Sequence, residues 1–202
     1  MPEDTPTVKP ETIGADLIPR IEFEDFDEKL RESLRSKVER LGYCGEIWRI
    51  GANTPDSTFF FSELTEALKQ ELEMKTVELV ALTVAGVMGN VYERNQHERL
   101  SEKLGYGRDW IAQVNELQAE RGKVMTDAEC AIQKFAIAAF FRRGHDCTEL
   151  FKDVIAAVGP QQATGVLWSV GRCIMHAIFR NTLGLEPPVT SIFAEKAEKR
   201  SK

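Results

Sequence analysis

The chain has 202 residues, of which 43% are apolar and 29% charged, a composition typical of a soluble globular protein. Its 26 basic and 32 acidic side chains give a formal charge of -6, which argues against binding to nucleic acid or an anionic membrane. The four cysteines form no C-x-x-C pair or Cys/His cluster, so neither a disulfide framework nor a metal site is predicted.

Three regions differ in composition. Residues 1–20 mix Pro, Thr and Glu without a period and predict a flexible arm. They lack the cationic and apolar segments of a secretory signal, so we expect a cytoplasmic protein. Residues 21–190 predict one all-α domain, and residues 191–202 a charged tail.

Helical periodicity extends along the chain from Phe26, and no alternating strand pattern bounded by hairpin turns interrupts it. The first helix ends at Gly42, and the next begins at Ser57 or Ser62 with a Phe59–Phe61 run suited to core or subunit packing. The later predicted helices cover Lys75–Met88, Asn90–Leu104, Trp110–Leu117, Thr126–Phe141, Glu149–Val158 and Gln161–Leu183.

The last of these helices is too polar to cross a membrane. Its apolar stretch, Ala163–Leu185, is interrupted by Arg172, His176 and Arg180. A bilayer span of about 20 residues does not readily tolerate three such side chains.

The third and fourth predicted helices carry candidate acid/base residues in an apolar background. Glu93 and His97 are four residues apart and share one helix face. In one continuous helix Glu78 and His97 would lie nearly 30 Å apart, at about 1.5 Å per residue. If the chain reverses at Gly89–Asn90, their distances from the turn are about 16 and about 12 Å. A hairpin would therefore set a carboxylate beside an imidazole, an environment suited to proton transfer.

Structural roles would explain the same residues. Asn90-x-x-Glu93 also matches a capping box, in which Glu93 only accepts a backbone N–H. Glu78 could pair with Lys75, with Arg94 or with another subunit, and the histidine could be a buried structural residue.

The segment Lys75–Gly105 resembles the core motif of the carboxymuconolactone decarboxylase/alkylhydroperoxidase D superfamily. There a helix with a Glu and a Gly-containing turn precede C-x-x-C-x-x-x-H or Y-E-W-x-x-H. Glu78 and His97 match the family's Glu and His, while Met125–Glu129 and Arg180–Leu185 resemble its later segments. The resemblance implies an all-α alkylhydroperoxidase D-like bundle with a central helical hairpin, assembled as a trimer, hexamer or dimer.

The sequence departs from the peroxidase branch of this superfamily. Asn90 and Glu93 occupy the positions of its two redox cysteines, so the thiol chemistry of that branch is not expected. Cys44 or Cys173 could still approach the motif in space.

The segment Tyr92–His97 is closer to the cysteine-free form, with Arg94 in place of Trp. That form implies decarboxylation, isomerisation or a related lyase step without cofactor or metal. His97 would move the proton and Glu78 would orient its ring. Glu93 or Tyr92 would hydrogen-bond the developing charge.

An acidic substrate would need cationic partners. Arg172, His176 and Arg180 recur at every fourth position and make one polar stripe, which could bind an anion or pair with a neighbouring subunit. Arg94 and Asn90, beside the motif, are further candidate substrate-binding residues.

Three hypotheses follow. The first is an acid/base enzyme acting on a small organic, and possibly acidic, molecule. The second is a redox protein with a displaced cysteine, and the third is a non-catalytic scaffold or ligand-binding homologue. A homo-oligomer is expected under each hypothesis, because helices that are apolar on most faces leave surface for a partner.

Overall fold

The computed structural model describes residues 17–120 and 123–194, which are helical and contain no strand. The predicted all-α fold is therefore confirmed. Within these ranges the helices are α1 (Glu28–Leu41), α2 (Glu46–Gly51), α3 (Pro55–Glu71), α4 (Met74–Val87), α5 (Val91–Lys103), α6 (Arg108–Glu116), α7 (Asp127–Phe141) and α8 (Thr148–Thr182).

Local signals define most of the helix ends. Thr126 and Glu129 form the predicted capping box at the start of α7. Gly42 ends α1 in the left-handed conformation, at φ 76°. Gly159 is non-helical, at φ 80° and ψ 165°, so α8 is two helical segments joined at the predicted Gly159–Pro160 break.

Two features between α1 and α4 differ from the prediction. Helix α2 was not predicted, because its six residues are too few to show a repeating helical pattern of apolar positions. Its residues Ile47, Trp48 and Ile50 are all buried. Helix α3 begins at Pro55 rather than at a serine, because proline suits the first helical position, where no N–H partner is needed.

Helix α4 is the centre of the fold. It contacts α5, α6, α7 and α8, and residues 78–85 are all buried. A helix covered on every side must be apolar all round, which explains its Val, Leu and Ala content. Glu78 is 1% exposed within that segment, so its carboxylate needs partners inside the protein.

The predicted reversal lies between α4 and α5. Gly89 has a φ of 62°, in the left-handed region that favours glycine. Asn90 caps α5, with its side-chain oxygen accepting a hydrogen bond from the Glu93 N–H at 3.1 Å. The two helices therefore run back along each other as a hairpin.

Residues on either side of the predicted domain, 21–190, also make contacts with it. Ile192 is 1% exposed, and its N–H donates to Glu98 Oε2 at 3.2 Å. Asn53 Nδ2 donates to the carbonyl oxygen of Pro19 at 2.7 Å. The remainder of the predicted arm, 1–16, and of the tail, 195–202, lies outside the described residues. None of the described helices is both long and apolar enough to cross a membrane.

Candidate active site

The hairpin brings Glu78 of α4 against His97 of α5. His97 Nδ1 lies 2.8 Å from Glu78 Oε2, and the hydroxyl of Ser101 donates to the same oxygen at 3.3 Å. With Nδ1 carrying a proton, the carboxylate holds the imidazole in one orientation and leaves Nε2 for other contacts.

The opposite ring nitrogen faces a second carboxylate. His97 Nε2 lies 3.4 Å from Glu93 Oε2, one turn back along α5. The same Glu93 oxygen is 2.9 Å from His176 Nδ1, and Oε1 is 3.1 Å from Arg180 Nε. Glu93 thus joins α5 to α8, and its carboxylate does not complete the alternative capping box at Asn90.

Helix α8 supplies a neutral histidine to this cluster. Arg180 Nε donates to His176 Nε2 at 2.9 Å. An imidazole nitrogen that accepts a hydrogen bond carries no proton, so the proton of His176 is on Nδ1, towards Glu93. The predicted polar stripe on α8 is therefore, at these two positions, part of a network within the same chain.

The two carboxylates determine the protonation of His97. Burial alone lowers the pKa of this ring, but Glu78 and Glu93 outweigh burial and raise it from 6.5 to about 10. His97 is therefore an imidazolium at neutral pH. Its side chain remains 18% exposed.

The pKa values of Glu93 and His176 are both lowered, for different reasons. Burial raises the pKa of the Glu93 carboxyl, but His176 and Arg180 beside it hold that pKa well below 4.5. Burial lowers the pKa of His176 to about 4, in spite of the nearby Glu93. At neutral pH the cluster holds the Glu93 anion, the His97 and Arg180 cations and a neutral His176.

This cluster borders a cavity of about 430 Å³, a volume suited to a small organic molecule. The four predicted catalytic residues all line it: His97, Glu78, Glu93 and Tyr92. Tyr92 is buried under the guanidinium of Arg180, whose carbon lies 3.5 Å from the ring centroid. Burial raises the pKa of Tyr92 against the opposing effect of Arg180, so its hydroxyl keeps its proton.

The predicted substrate-binding residues divide into two groups. Arg172 and His176 line the cavity, with Arg172 Nε donating to Thr65 Oγ1 at 3.1 Å. Arg94 and Asn90 do not line it. Arg94 is about 100° around α5 from Glu93 and lies 3.8 Å from Glu98 Oε1. Asn90 is used as the cap of its helix.

No sequence pattern indicated that this cavity has a cationic lining. Helices α1, α3 and α5 add basic side chains to its lining: Lys37, Arg40, Lys69, Arg99 and Lys103. Arg40 and Lys103 have no hydrogen-bond or ion-pair partner among residues 17–120 and 123–194. Dispersed basic residues on amphipathic helices form no motif, and only the packing of three helices collects them.

One cysteine lines the same cavity. Cys173 of α8 is 8% exposed, and Arg172 Nη1 lies 3.7 Å from its sulfur. Cys44, Cys130 and Cys147 do not line the cavity, and burial raises the pKa of Cys44 to about 11. Among the described residues, no group of three or more His, Cys, Asp and Glu side chains is arranged to hold a metal ion.

No protein-family model and no curated protein matches this sequence. Solved structures do resemble it. A variant of the debrominase Bmp8 in complex with 2,3,4-tribromopyrrole has a TM-score of 0.72 at 17% identity, covering 92% of this chain and 96% of that one. An uncharacterised peroxidase-related protein from Ralstonia eutropha, described as an alkylhydroperoxidase AhpD core, has a TM-score of 0.70 at 16% identity, covering 84% and 90%.

A third similar structure is a protein of unknown function from Agrobacterium tumefaciens. Its TM-score is 0.61 at 15% identity, covering 69% of this chain and 95% of that one. At identities this low, the structural similarity establishes a shared fold and not a shared reaction. The all-helical architecture and these structural matches agree: the chain shares the helical fold of the debrominase Bmp8 and of the alkylhydroperoxidase AhpD core structure.

Proposed function

We propose that this protein is an acid/base enzyme that decarboxylates a small organic anion. The observation that carries the proposal is the position of His97, between two carboxylates and at the wall of a cavity. Its ring is an imidazolium at neutral pH. A proton stored beside a substrate-sized space is the group that decarboxylation consumes.

The proposed step balances without an external oxidant or reductant. The bond between the substrate carbon and its carboxylate breaks, and CO2 leaves. The bonding electrons stay on the carbon as a carbanion or enolate. His97 Nε2 then gives its proton to that carbon, and the ring recovers a proton from water. Tyr92, with its hydroxyl protonated, can donate a hydrogen bond to the enolate oxygen.

The raised pKa of His97 favours decarboxylation over isomerisation. An isomerase must first remove a proton from carbon, and a ring that is already protonated cannot accept it. Glu93 is a weak base for the same task, since its pKa is held well below 4.5. A decarboxylase can begin with His97 already protonated, because the ring acts only as a proton donor.

The cavity lining supports an anionic substrate. Arg172, Arg40 and Lys103 all line it, and within the described residues none of the three has a carboxylate partner. The protein as a whole carries a formal charge of -6, so this basic lining runs against the average of the chain. Such a lining attracts small anions into the cavity.

The test is CO2 release from a panel of small β-keto acids, with product formed in D2O analysed by mass spectrometry. We expect the wild type to incorporate one solvent deuteron per turnover. His97→Gln should reduce kcat by about 10²- to 10⁴-fold, the usual contribution of a general acid. His145→Gln is the matched control, because His145 is exposed and does not line the cavity. Equal losses in the two variants would refute the assignment.

Cys173 supports a second candidate function, since its sulfur borders the same cavity. In this alternative the thiolate attacks a peroxide, forms a sulfenic acid and releases the reduced product. A small-molecule thiol supplied with the substrate would then reduce the sulfenic acid. Cys173→Ser separates the two candidates, because it should abolish thiol-dependent peroxide reduction and leave CO2 release within about twofold of wild type.

A further inference from the structure

A second cavity of about 310 Å³ adjoins the main one, and we call it the side chamber. It lies where α1 and α3 meet the start of α4 and the end of α5. Lys37, Arg40, Lys69 and Leu100 line both spaces. These four residues are therefore a common boundary, and a molecule seated at His97 could extend past them.

Helix α1 contributes a polar face to the side chamber. Ser33, Ser36, Lys37 and Arg40 line it, at positions i, i+3, i+4 and i+7 of the helix. The hydroxyl of Ser33 already donates its proton to the Leu30 carbonyl at 3.1 Å. Ser36, Lys37 and Arg40 remain as one hydroxyl and two cations on the same helix face, and their N–H and O–H groups suit phosphate or carboxylate oxygens.

The charges in the side chamber do not cancel. Glu66 is the one acidic residue of its lining, and it contacts Lys37 Nζ at 3.2 Å and Lys69 Nζ at 2.9 Å. Arg40 has no partner within the described ranges. Three cations against one carboxylate leave an excess of positive charge in a confined space, which an anionic ligand would neutralise.

Lys37 shows how crowded these cations are. Burial lowers its pKa, Glu66 raises it, and the neighbouring Lys69 and Arg172 lower it further. The opposite wall of the chamber is apolar, formed by Met74, Leu100 and Leu104. The space therefore fits a ligand segment with one charged side and one apolar side.

We propose that the side chamber binds a second anionic group, a phosphate or carboxylate, at the end of the substrate remote from the reacting carbon. The inference rests on the proposed function, since it assigns the far end of the same substrate. A ligand that occupies both spaces would place one end at His97 and the other between α1 and α3. The side chamber would then add binding energy through the remote anion, without any contact to the reacting atoms.

The experiment measures anion binding rather than turnover, by calorimetric titration at constant ionic strength. Inorganic phosphate is the probe in one arm and succinate in the other. We expect the wild type to bind at least one of the two, and the stronger arm identifies the preferred anion. Arg40→Gln combined with Lys69→Gln should weaken that binding by about tenfold or more.

Arg35→Gln is the matched control. Arg35 is on α1, pairs with Glu32, and lines neither cavity. Its binding should stay within about twofold of wild type. No binding of either anion by the wild type, or an equal loss in the control, would overturn the proposal. If the double variant unfolds, Arg40→Gln alone is tested for weakened anion binding in its place. Arg40 is exposed, so its loss should leave the fold intact.

One more variant separates this inference from the proposed function. His97→Gln should retain anion binding in the side chamber while losing CO2 release. Lost binding in Arg40→Gln with Lys69→Gln, together with activity that does not depend on His97, would support the anion site and refute the acid/base role. The reverse pair of results would refute the anion site alone.

Discussion

His97 Nδ1 lies 2.8 Å from Glu78 Oε2, although 19 residues separate them in the chain. Both residues line the cavity, but Glu78 is only 1% exposed on the apolar helix α4, while the His97 side chain is 18% exposed. The negative charge of the buried Glu78 carboxylate therefore acts directly on the partly exposed ring of His97. It raises the affinity of that ring for a proton and sets the direction in which the other nitrogen points.

The protonation states of His97 and His176 can be measured by NMR spectroscopy. We expect His97 to remain an imidazolium up to at least pH 8, because its pKa is raised to about 10. His176 should be neutral from pH 8 down to about pH 5, with its proton on Nδ1. Long-range ¹H–¹⁵N correlation spectra of the imidazole nitrogens measure both. A His97 ring that titrates near pH 6.5 would contradict the assigned charge distribution.

The same shifts predict how stability depends on pH. His97 binds its proton more tightly when folded, so its contribution is complete below pH 6.5 and is lost as the pH rises towards 10. The pKa of His176 is lowered on folding to about 4, so stability is lost as the pH falls from 6.5 towards 4. The free energy of unfolding should peak near pH 6.5.

Urea unfolding between pH 4.5 and 9.5 measures this curve. Each flank should fall by an amount on the order of a few kcal/mol, since one pKa unit corresponds to about 1.4 kcal/mol. His97→Gln should flatten the alkaline flank and leave the acid flank in place. Both flanks unchanged in that variant would show that other groups cause the dependence.

Arg180 is predicted to stabilise Glu93 as a permanent cation beside it. Arg180→Leu would leave the buried Glu93 carboxylate without its permanent cation, at a cost of about 3–5 kcal/mol in the free energy of unfolding. Arg180→Lys should recover part of that loss, because an ammonium keeps the charge but loses the stacking on Tyr92.

Arg172→Leu is the comparison for this prediction. Arg172 is on the same helix and hydrogen-bonds the neutral Thr65, so its loss should cost only about 1 kcal/mol. Chemical denaturation at pH 7 gives both values. Similar costs for the two leucine variants would mean that Glu93 does not depend on Arg180.

The outer face of α8 is the expected subunit contact. Four apolar side chains on it are at least half exposed: Leu167, Trp168, Met175 and Ile178. Trp168→Lys should shift the protein towards monomer in multi-angle light scattering, because it places a charge within that face. Phe141→Lys is the control, since Phe141 of α7 is similarly exposed, at 68%. A monomeric wild type would contradict this prediction.

Local patterns carried much of the fold. Thr126 with Glu129 marked a helix start, Gly42 and Gly159 marked ends, and the apolar composition of Lys75–Met88 marked the central helix. Each signal acts through neighbouring residues, so it can be read without knowing the fold. Helix α2 was missed because its six residues are held mainly by packing.

The candidate site was predictable only in part. Residue spacing and the resemblance singled out Glu78, Glu93 and His97, because a hairpin at Gly89 makes their meeting a matter of helix geometry. Neither spacing nor motif showed that Arg180 and His176 of α8 would hold Glu93. That contact joins residues more than 80 positions apart and depends on how α8 lies against α5.

The sequence by itself therefore determined the helices other than α2, the reversal and the pairing of an acid with an imidazole across it, since all three follow from interactions over a few helical turns. Only the tertiary structure decided the charge of the imidazole, the exclusion of Arg94 and Asn90 from the cavity and the cationic lining of that cavity. A pKa and a cavity depend on every group brought within a few ångströms, and distant segments become neighbours only when the helices pack.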